Sequence, residues 1–398
     1  MLFWTHLALG LAAGALVFIM AVTGVLLMYQ KQLTVWADLR GQNGAPPAGV
    51  QWPLAADTLL ARLAATLQAT PTAIVWREGA NTPVEVQFGR EKRVFANAYT
   101  AEVLGAGSIG MRGFFRQTTD VHRWLAAKGS TRDLGRAATG AANLAFLLIV
   151  LSGMWLWWPR NVTWTSVRNV AWFRGGLSGK ARDFNWHNVI GFLSAIPLVI
   201  VVASGVVISY PWASALVFRV AGEAPPGRTA SGPTAGEGAP GAGPRALPGA
   251  LQPRLSVAQA QMPTWRTISL TLPTKPNADA SFTLDRGMGG EPHKRATAVI
   301  AIDGRVSALQ SFATQSPGRR LRSILRFAHT GEVLGFLGQT IAGLISLGSA
   351  LLVVTGVALA LRRFGAWWRR RSAAAPNSQN AEPQTSGHEP ATGIADTA

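Results

Sequence analysis

Cysteine is absent from this chain of 398 residues, which excludes disulfides, iron–sulfur clusters and thiolate ligation of a metal. Charge is scarce as well, because Asp, Glu, Lys and Arg make up only 14% of the residues. The sequence contains no Walker loop, no GxGxxG after a strand, and no grouping of a nucleophile with a base and an acid. The familiar signatures of nucleotide, flavin or nicotinamide binding and of hydrolysis are therefore missing.

Long apolar runs are what the sequence has instead. Four of them, at 7–29, 138–158, 188–212 and 335–361, carry no charged residue across their centres. A helix of about 20 residues crosses the ~30 Å hydrocarbon core of a bilayer, so each run predicts one membrane span. The first run has no basic stretch before it and no small-x-small cleavage site after it, which favours a retained span over a signal peptide.

The net charge of +18 is spread over the connections between these runs. Short basic connections tend to stay in the cytoplasm, and both the connection 159–187 and the segment 362–398 are rich in basic residues. Those of the connection are Arg160, Arg168, Arg174, Lys180 and Arg182. The basic connections predict cytoplasmic termini, with the long connections 30–137 and 213–334 outside. The spread of the positive charge favours lipid headgroups, haem propionates or anionic ligands over nucleic acid as partners.

Each long outer connection predicts a small α+β unit. In the first, a helix at 54–67 precedes strands in TAIVWRE, VEVQFG and RVFANAYTAEVLG. In the second, a helix near LSVAQAQM precedes strands in TISLTLP, ASFTLD and RATAVIAIDGRVSAL, and the last stretch of each unit contains a turn that predicts a final hairpin. The Gly/Pro/Ala stretch 222–250 predicts a flexible linker, and the polar tail after about 372 is predicted to be disordered.

The two halves of the chain share a register that apolar composition alone does not impose. HLALGLAAGALVFIMAVTGVLLMY and HNVIGFLSAIPLVIVVASGVVISY both read H-x3-G-x13-G-x4-Y. Every span also contains a Ser or Thr followed by Gly, namely Thr23-Gly24, Ser152-Gly153, Ser204-Gly205 and Thr355-Gly356. Such small residues let helices pack closely or make room for a bulky ligand. The predicted fold class is an α-helical membrane protein with four transmembrane helices in two repeated halves, each with an outer α+β unit.

Four of the six histidines form two pairs, with one member of each pair in each half. His6 and His187 begin spans one and three on the inner side, whereas His122 and His329 precede spans two and four on the outer side. Two imidazoles brought together across the bundle are what bis-histidine ligation of a haem iron requires. The residues leave two alternatives open, an interfacial polar role for each histidine or a different metal ion, although the spans offer no carboxylates to complete its shell.

Glycines near these histidines bear on the haem hypothesis. Gly10 and Gly191 follow the inner histidines by four residues, so they lie on the same helical face and leave space for a macrocycle. Around the outer histidines the spacing is irregular, which predicts a less regular outer site. The remaining histidines, His293 and His388, have no counterpart in the other half and are predicted to be solvated.

Several segments resemble a known family. FFRQTTDVHRWL, RDFNWHNVIGFLSAIPLVIVVASGVVISYPWA, LRFAHTGEVLGFLGQTIAGLISLGSALLVVTG and the register of WTHLALGL resemble the PepSY-associated transmembrane proteins, often called iron-regulated membrane proteins, over roughly residues 1–371. The resemblance implies a bacterial inner-membrane protein with two periplasmic PepSY-like units. Family members include haem-binding reductases that release iron from ferric siderophores, which implies haem b, two per chain, held by the four histidines.

The function predicted from these observations is a haem-containing reductase that passes electrons from a cytoplasmic or quinone donor to a periplasmic ferric chelate such as a ferric siderophore. Four arginines precede His329 and either contact the haem propionates, attract an anionic chelate or meet lipid phosphates. They are Arg319, Arg320, Arg322 and Arg326. Two other interpretations compete: a PepSY binding protein or regulator of periplasmic peptidases without haem, and a transporter subunit, which the lack of ionisable residues in the spans disfavours.

Overall fold

The computed structural model describes residues 1–89, 92–158, 163–227 and 245–373. Most of the predicted linker, nearly all of the predicted tail, Arg160 and His388 lie outside these residues. Within them the α-helices are α1 (Leu2–Leu27), α2 (Gln30–Leu39), α3 (Ala56–Leu67), α4 (Ile109–Trp124), α5 (Arg132–Trp157), α6 (Trp164–Ala171), α7 (Gly179–Ser209), α8 (Pro211–Val220), α9 (Leu251–Gln261), α10 (Pro317–His329) and α11 (Gly335–Ala373). The strands are β1 (Ala73–Arg77), β2 (Val84–Phe88), β3 (Lys92–Ala96), β4 (Val103–Gly105), β5 (Thr267–Thr271), β6 (Ala280–Asp285), β7 (Arg295–Ile300) and β8 (Val306–Ser311).

Helices α1, α5, α7 and α11 are long and apolar enough to cross a membrane, which confirms the prediction of four spans. All four extend beyond the predicted bounds at one end: α1, α5 and α7 begin at Leu2, Arg132 and Gly179 rather than at 7, 138 and 188, and α11 ends at Ala373 rather than at 361. The apolar runs end where charged residues begin, but the backbone continues as a helix through those charges. His187 therefore lies inside a helix and not at its start.

The four long helices form a bundle in which α1 and α7 stand at opposite corners. Each of these two helices packs against both α5 and α11. Val150, Leu198 and Val202 are buried where α5 meets α7. Apolar side chains such as Leu148, Ile196 and Leu344 are exposed on the outside of the bundle, on surfaces that lipid would cover.

Two shorter helices, α4 and α10, return from the outer connections and pack on the bundle. Helix α4 lies against α1 and α5, and α10 lies against α7 and α8. A side chain at Gly135 in α5 would collide with the backbone oxygen of Trp124, so the end of α4 can approach α5 only because that residue is glycine. Both helices start at a capped turn, where Asp38 accepts from the backbone N–H of Ser108 and Glu223 accepts from that of Gly318.

All eight strands form one antiparallel sheet, in the order β4-β3-β2-β1-β5-β6-β7-β8. The strands lie in the predicted stretches, and the predicted final hairpins are β3–β4 and β7–β8. The sequence predicts two units, whereas the structure joins them through β1 and β5, with Val75 opposite Ser269 at the centre of the shared register. Joining the units pairs two edge strands whose N–H and C=O groups would otherwise be left unpaired.

One face of this sheet is covered by α3 and α9. Leu59 and Leu63 of α3 and Leu255 of α9 pack with Ile74 and Phe282 of the sheet in one apolar core. The two helices also cap each other, because Asp57 accepts from the backbone N–H groups of Leu251 and Gln252, both at 2.7 Å, and the Gln252 side chain accepts from Ala56 N–H. These bonds cross between the two halves of the sheet region.

Lys31 links the sheet to the end of the bundle that carries His122 and His329. Its Nζ donates to the backbone oxygen of Gly289, in the β6–β7 connection, at 3.0 Å and to Glu332, just before α11, at 2.9 Å. Close by, the Tyr29 ring stacks on Phe336 with ring centroids 4.9 Å apart. The sheet therefore contacts the bundle at the end to which the outer histidines belong.

Candidate functional site

The structure brings His6 and His187 together at one end of the bundle. His6 lies on α1 and His187 on α7, the helices at opposite corners, and their ring centroids are 6.4 Å apart with the ring planes nearly perpendicular. A metal ion bound by two imidazoles lies about 2 Å from each nitrogen, which separates the two ring centroids by roughly 6 Å. The spacing of this inner pair therefore suits one ion between two ligands.

The outer pair, His122 and His329, has the same spacing. Their ring centroids are also 6.4 Å apart, with an angle of 56° between the planes. They precede spans two and four, as the sequence predicts, and they lie on two further helices, α4 and α10, which pack against the bundle. The irregular glycine spacing around them does not make the outer pair wider than the inner pair.

Each of the four imidazoles is held through Nδ1 by a different long helix. The Nδ1 partners are Ser152 Oγ for His6 (3.0 Å), Thr355 Oγ1 for His187 (3.0 Å), Thr23 Oγ1 for His122 (2.9 Å) and Val201 O for His329 (2.8 Å). A carbonyl oxygen can only accept, so His329 carries its proton on Nδ1. Since Nδ1 is occupied in all four, Nε2 is the ring nitrogen left for a ligand.

The hydroxyl partners belong to the Ser/Thr-Gly pairs of the sequence, and the glycines of those pairs lie against the same rings. A Cβ atom at each glycine would meet the imidazole Cε1 at 3.7 Å (Gly24 to His122), 3.2 Å (Gly153 to His6), 3.1 Å (Gly205 to His329) and 3.3 Å (Gly356 to His187). Three of these contacts are tighter than ordinary van der Waals distances. The sequence predicts that these pairs allow close helix packing or make room for a bulky ligand. It does not predict their contact with the histidines, which the equal number of pairs and paired histidines could have suggested.

Gly10 and Gly191, which the sequence predicts to make room for a macrocycle, do not touch the imidazoles. A Cβ at Gly10 would meet no atom within 4 Å, and one at Gly191 would meet only Leu352, at 3.8 Å. No protein atom therefore lies close to either glycine in the direction in which a side chain would point. The glycines after His329 act differently, because Gly331 and Gly335 adopt positive φ and form the turn between α10 and α11.

The two pairs lie near opposite ends of the bundle. On α1, the 17 residues from His6 to Thr23, the partner of His122, span about 25 Å at a rise of 1.5 Å per residue. The hydrocarbon core of a bilayer is about 30 Å thick. One pair thus lies close to each membrane face.

The donor set of each pair fits a haem better than a bare metal ion. Among the residues that the structure describes, no group of three or more His, Cys, Asp or Glu side chains could hold a metal. A structural zinc takes four protein ligands, and a catalytic zinc takes three. Two imidazoles from the protein are enough to hold a haem iron, so each pair would suffice as its protein ligands.

Several charged residues near the pairs have neighbours within the protein. On α10, Arg322 donates to the Ser214 hydroxyl at 2.9 Å, and Arg319 and Arg320 lie near Glu223. Hydrogen bonds from Gly318 N–H and the Ser316 hydroxyl lower the pKa of Glu223. At the inner end, Asp183 is buried between Arg182 and Arg362, one turn before His187.

The remaining histidine that the structure describes, His293, belongs to neither pair. His293 is exposed in the connection between β6 and β7, as predicted for a solvated residue.

Comparison with known proteins identifies the family. The PepSY-associated transmembrane region matches residues 3–363, which is most of the chain and includes all four paired histidines. No curated protein matches the chain. The resemblance seen in the sequence is therefore confirmed: this membrane protein belongs to the family of PepSY-associated transmembrane proteins.

Proposed function

We propose that the protein is a haem-containing reductase of the bacterial inner membrane that passes electrons across the membrane to a ferric chelate in the periplasm, in particular a ferric siderophore. The observation that carries this proposal is the presence of two histidine pairs with equal spacing, 6.4 Å between ring centroids, near opposite ends of the bundle. An interfacial polar role for single histidines would require neither the equal spacing nor the matched partners on neighbouring helices.

In this proposal His6 and His187 hold one haem b, and His122 and His329 hold the second. The chemistry that a haem would supply at each pair is one-electron transfer. The chain's own contribution is to orient the four imidazoles through hydrogen bonds at Nδ1, which leaves Nε2 for the iron. Reduction of iron in a chelate weakens its bonds to hard oxygen ligands, so the metal is released as ferrous iron.

The proposed orientation puts both termini in the cytoplasm. Basic residues cluster at the end of the bundle that carries His6 and His187, in the connection before α7 and in α11 from Arg362 to Arg371. The inner pair then faces a cytoplasmic or quinone donor, and the sheet lies in the periplasm. The sheet consists of two four-stranded parts, each covered by one helix. We interpret each part as one PepSY-like unit, and each unit belongs to one of the two repeated halves of the chain. Arg319, Arg320, Arg322 and Arg326 lie on the helix of His329, where they suit an anionic chelate or haem propionates.

The experiment that tests this function is a visible spectrum of the detergent-purified protein, oxidised and then reduced with dithionite, with haem counted as the pyridine haemochrome. We expect b-type bands and two haems per chain. His187→Ala should remove one haem and His329→Ala the other, while His293→Ala, an exposed histidine outside both pairs, should keep both.

A single haem per chain would restrict the cofactor to one end and overturn the transmembrane relay. No haem after expression with ample haem supply would overturn the reductase. The best remaining function would then be a PepSY protein that binds or regulates periplasmic peptidases, for which the four histidines are dispensable.

A further inference from the structure

Three of the four paired histidines hydrogen-bond a hydroxyl that is itself fixed by its own helix. Thr23 Oγ1 donates to the backbone oxygen of Ile19 at 2.6 Å, Ser152 Oγ to that of Ile149 at 3.0 Å, and Thr355 Oγ1 to that of Leu351 at 2.8 Å. A hydroxyl has one proton and two lone pairs. With its proton used on the helix, each hydroxyl can only accept from the imidazole.

We propose that Thr23, Ser152 and Thr355 are positioning residues that select the ligating nitrogen of His122, His6 and His187. Because each hydroxyl accepts from Nδ1–H, the ring keeps its proton on Nδ1 and presents Nε2 with a free lone pair. The hydrogen bond also fixes the ring orientation and raises the basicity of the ligand, as outer partners of metal-bound histidines do. This inference rests on the proposed function, since it concerns how the haem ligands are held.

A hydroxyl suits this position inside a membrane bundle. A carboxylate would orient the ring equally well, but an isolated negative charge is costly to bury in the hydrocarbon core. The hydroxyl is neutral, and its bond to the preceding turn leaves no unsatisfied donor. The adjacent glycine lets the imidazole reach it, since a Cβ at Gly356 would already lie 3.3 Å from Cε1 of His187.

The fourth Ser/Thr-Gly pair supplies an internal control. His329 bonds the backbone oxygen of Val201 directly at 2.8 Å, and Ser204 Oγ donates to that same oxygen at 2.8 Å. Ser204 is followed by glycine like the other three residues, but its hydroxyl does not accept the hydrogen bond from Nδ1 of His329. Loss of this hydroxyl leaves the acceptor of His329 in place.

The test compares Thr355→Val, which keeps the shape and removes the hydroxyl that accepts from Nδ1, with Thr355→Ser, which keeps the hydroxyl, and with Ser204→Ala. Nitrogen-15 NMR of histidine-labelled, haem-free protein in nanodiscs reports the tautomer of His187. Haem titration and redox titration report affinity and midpoint potential. We expect Thr355→Val to lose the Nδ1–H tautomer, to weaken haem binding at the inner pair about 10- to 100-fold, and to raise the potential there, because the ligand becomes less basic.

Thr355→Ser and Ser204→Ala should match the wild type in all three measurements. If Thr355→Val matches the wild type while His187→Ala loses the inner haem, the positioning role is overturned and the proposed function stands. An equal loss in Thr355→Val and Ser204→Ala would also overturn it, because general packing would then explain the effect. A wild-type protein that binds no haem would overturn both proposals together.

Discussion

At the scale of single residues, each paired histidine has a neighbour that binds Nδ1 and a glycine that lies against the ring. The glycine always comes from a different helix than the histidine, so neither contact follows from local sequence. A glycine four residues after a histidine is visible in the sequence. A glycine 147 residues away, as Gly153 is from His6, becomes a neighbour only when α1 packs against α5.

Gly153→Ala should displace His6. The new Cβ would lie 3.2 Å from Cε1 and 3.8 Å from Nδ1 of that ring, so the imidazole must move by a few tenths of an ångström. We expect roughly tenfold weaker haem binding at the inner pair, measured by haem titration. Gly110→Ala, at an exposed position in α4 with nothing within 4 Å of the new Cβ, is the control and should bind haem like the wild type.

Gly10→Ala tests the role that the sequence predicts for this glycine. In the protein alone the added methyl meets nothing within 4 Å, so the thermal unfolding temperature of the haem-free protein should not fall. Alanine also favours a helix over glycine by about 1 kcal/mol. The haem content should nevertheless drop, because the methyl would occupy space meant for the macrocycle. Unchanged haem content would refute the role of Gly10 in cofactor binding.

Glu85 should make the stability of the sheet depend on pH. Burial alone would raise the pKa of this carboxyl, but Arg77 at 2.6 Å and Arg93 at 3.0 Å outweigh burial, so the pKa is lowered. The stabilisation is therefore present at neutral pH and is lost as the pH falls through the folded-state pKa, below the usual value of about 4.3. Glu85→Gln should lower the free energy of unfolding by roughly 1–3 kcal/mol at neutral pH. The unfolding temperature of this variant should also fall less steeply than that of the wild type as the pH is lowered. The exposed Glu78, changed to Gln, should leave the pH dependence as it is.

At the scale of helices and strands, the sequence patterns predict whether a segment is a helix or a strand. They predict less well which other elements it packs against or pairs with. Strand stretches such as TISLTLP and ASFTLD lie in the sheet where they are predicted. Alternating apolar residues specify a strand with one buried face, and that is a local property. The pairing of β1 with β5 joins residues nearly 200 positions apart, and no local pattern encodes it.

Asp57→Ala should loosen the contact between α3 and α9. The change removes the carboxylate that accepts from two backbone N–H groups at the start of α9, and such a cap contributes about 1–2 kcal/mol. We expect chemical denaturation to show this loss in the free energy of unfolding of the sheet region. Asp57→Asn should be intermediate in stability between the wild type and Asp57→Ala, because one acceptor oxygen remains. Glu102→Ala, at an exposed position in the β3–β4 turn, should change stability by less than about 0.5 kcal/mol. An equal effect of both changes would rule out the cap.

At the scale of the whole molecule, the bundle and the sheet meet at the outer end, and basic residues mark the other end. A green fluorescent protein fused after Ala373 should fluoresce, and alkaline phosphatase fused after Gly105 should be active, because the first reporter works in the cytoplasm and the second in the periplasm. The opposite pattern would reverse the proposed orientation and would put the sheet on the donor side.

The sequence by itself determined the four spans, the strands, the family and the four histidines with their assignment to two pairs. These features depend on the length of the apolar runs, on the alternation of apolar and polar residues in the strands, and on a motif repeated between the two halves. All three can be seen in the sequence before the chain is folded. Only the tertiary structure decided that the outer histidines lie on α4 and α10, that both pairs have the same spacing, and that Thr23, Ser152 and Thr355 hold three of the rings. The physical reason is that a ligand pair and its hydrogen-bond partners come from different helices, and their distances are set by how those helices pack.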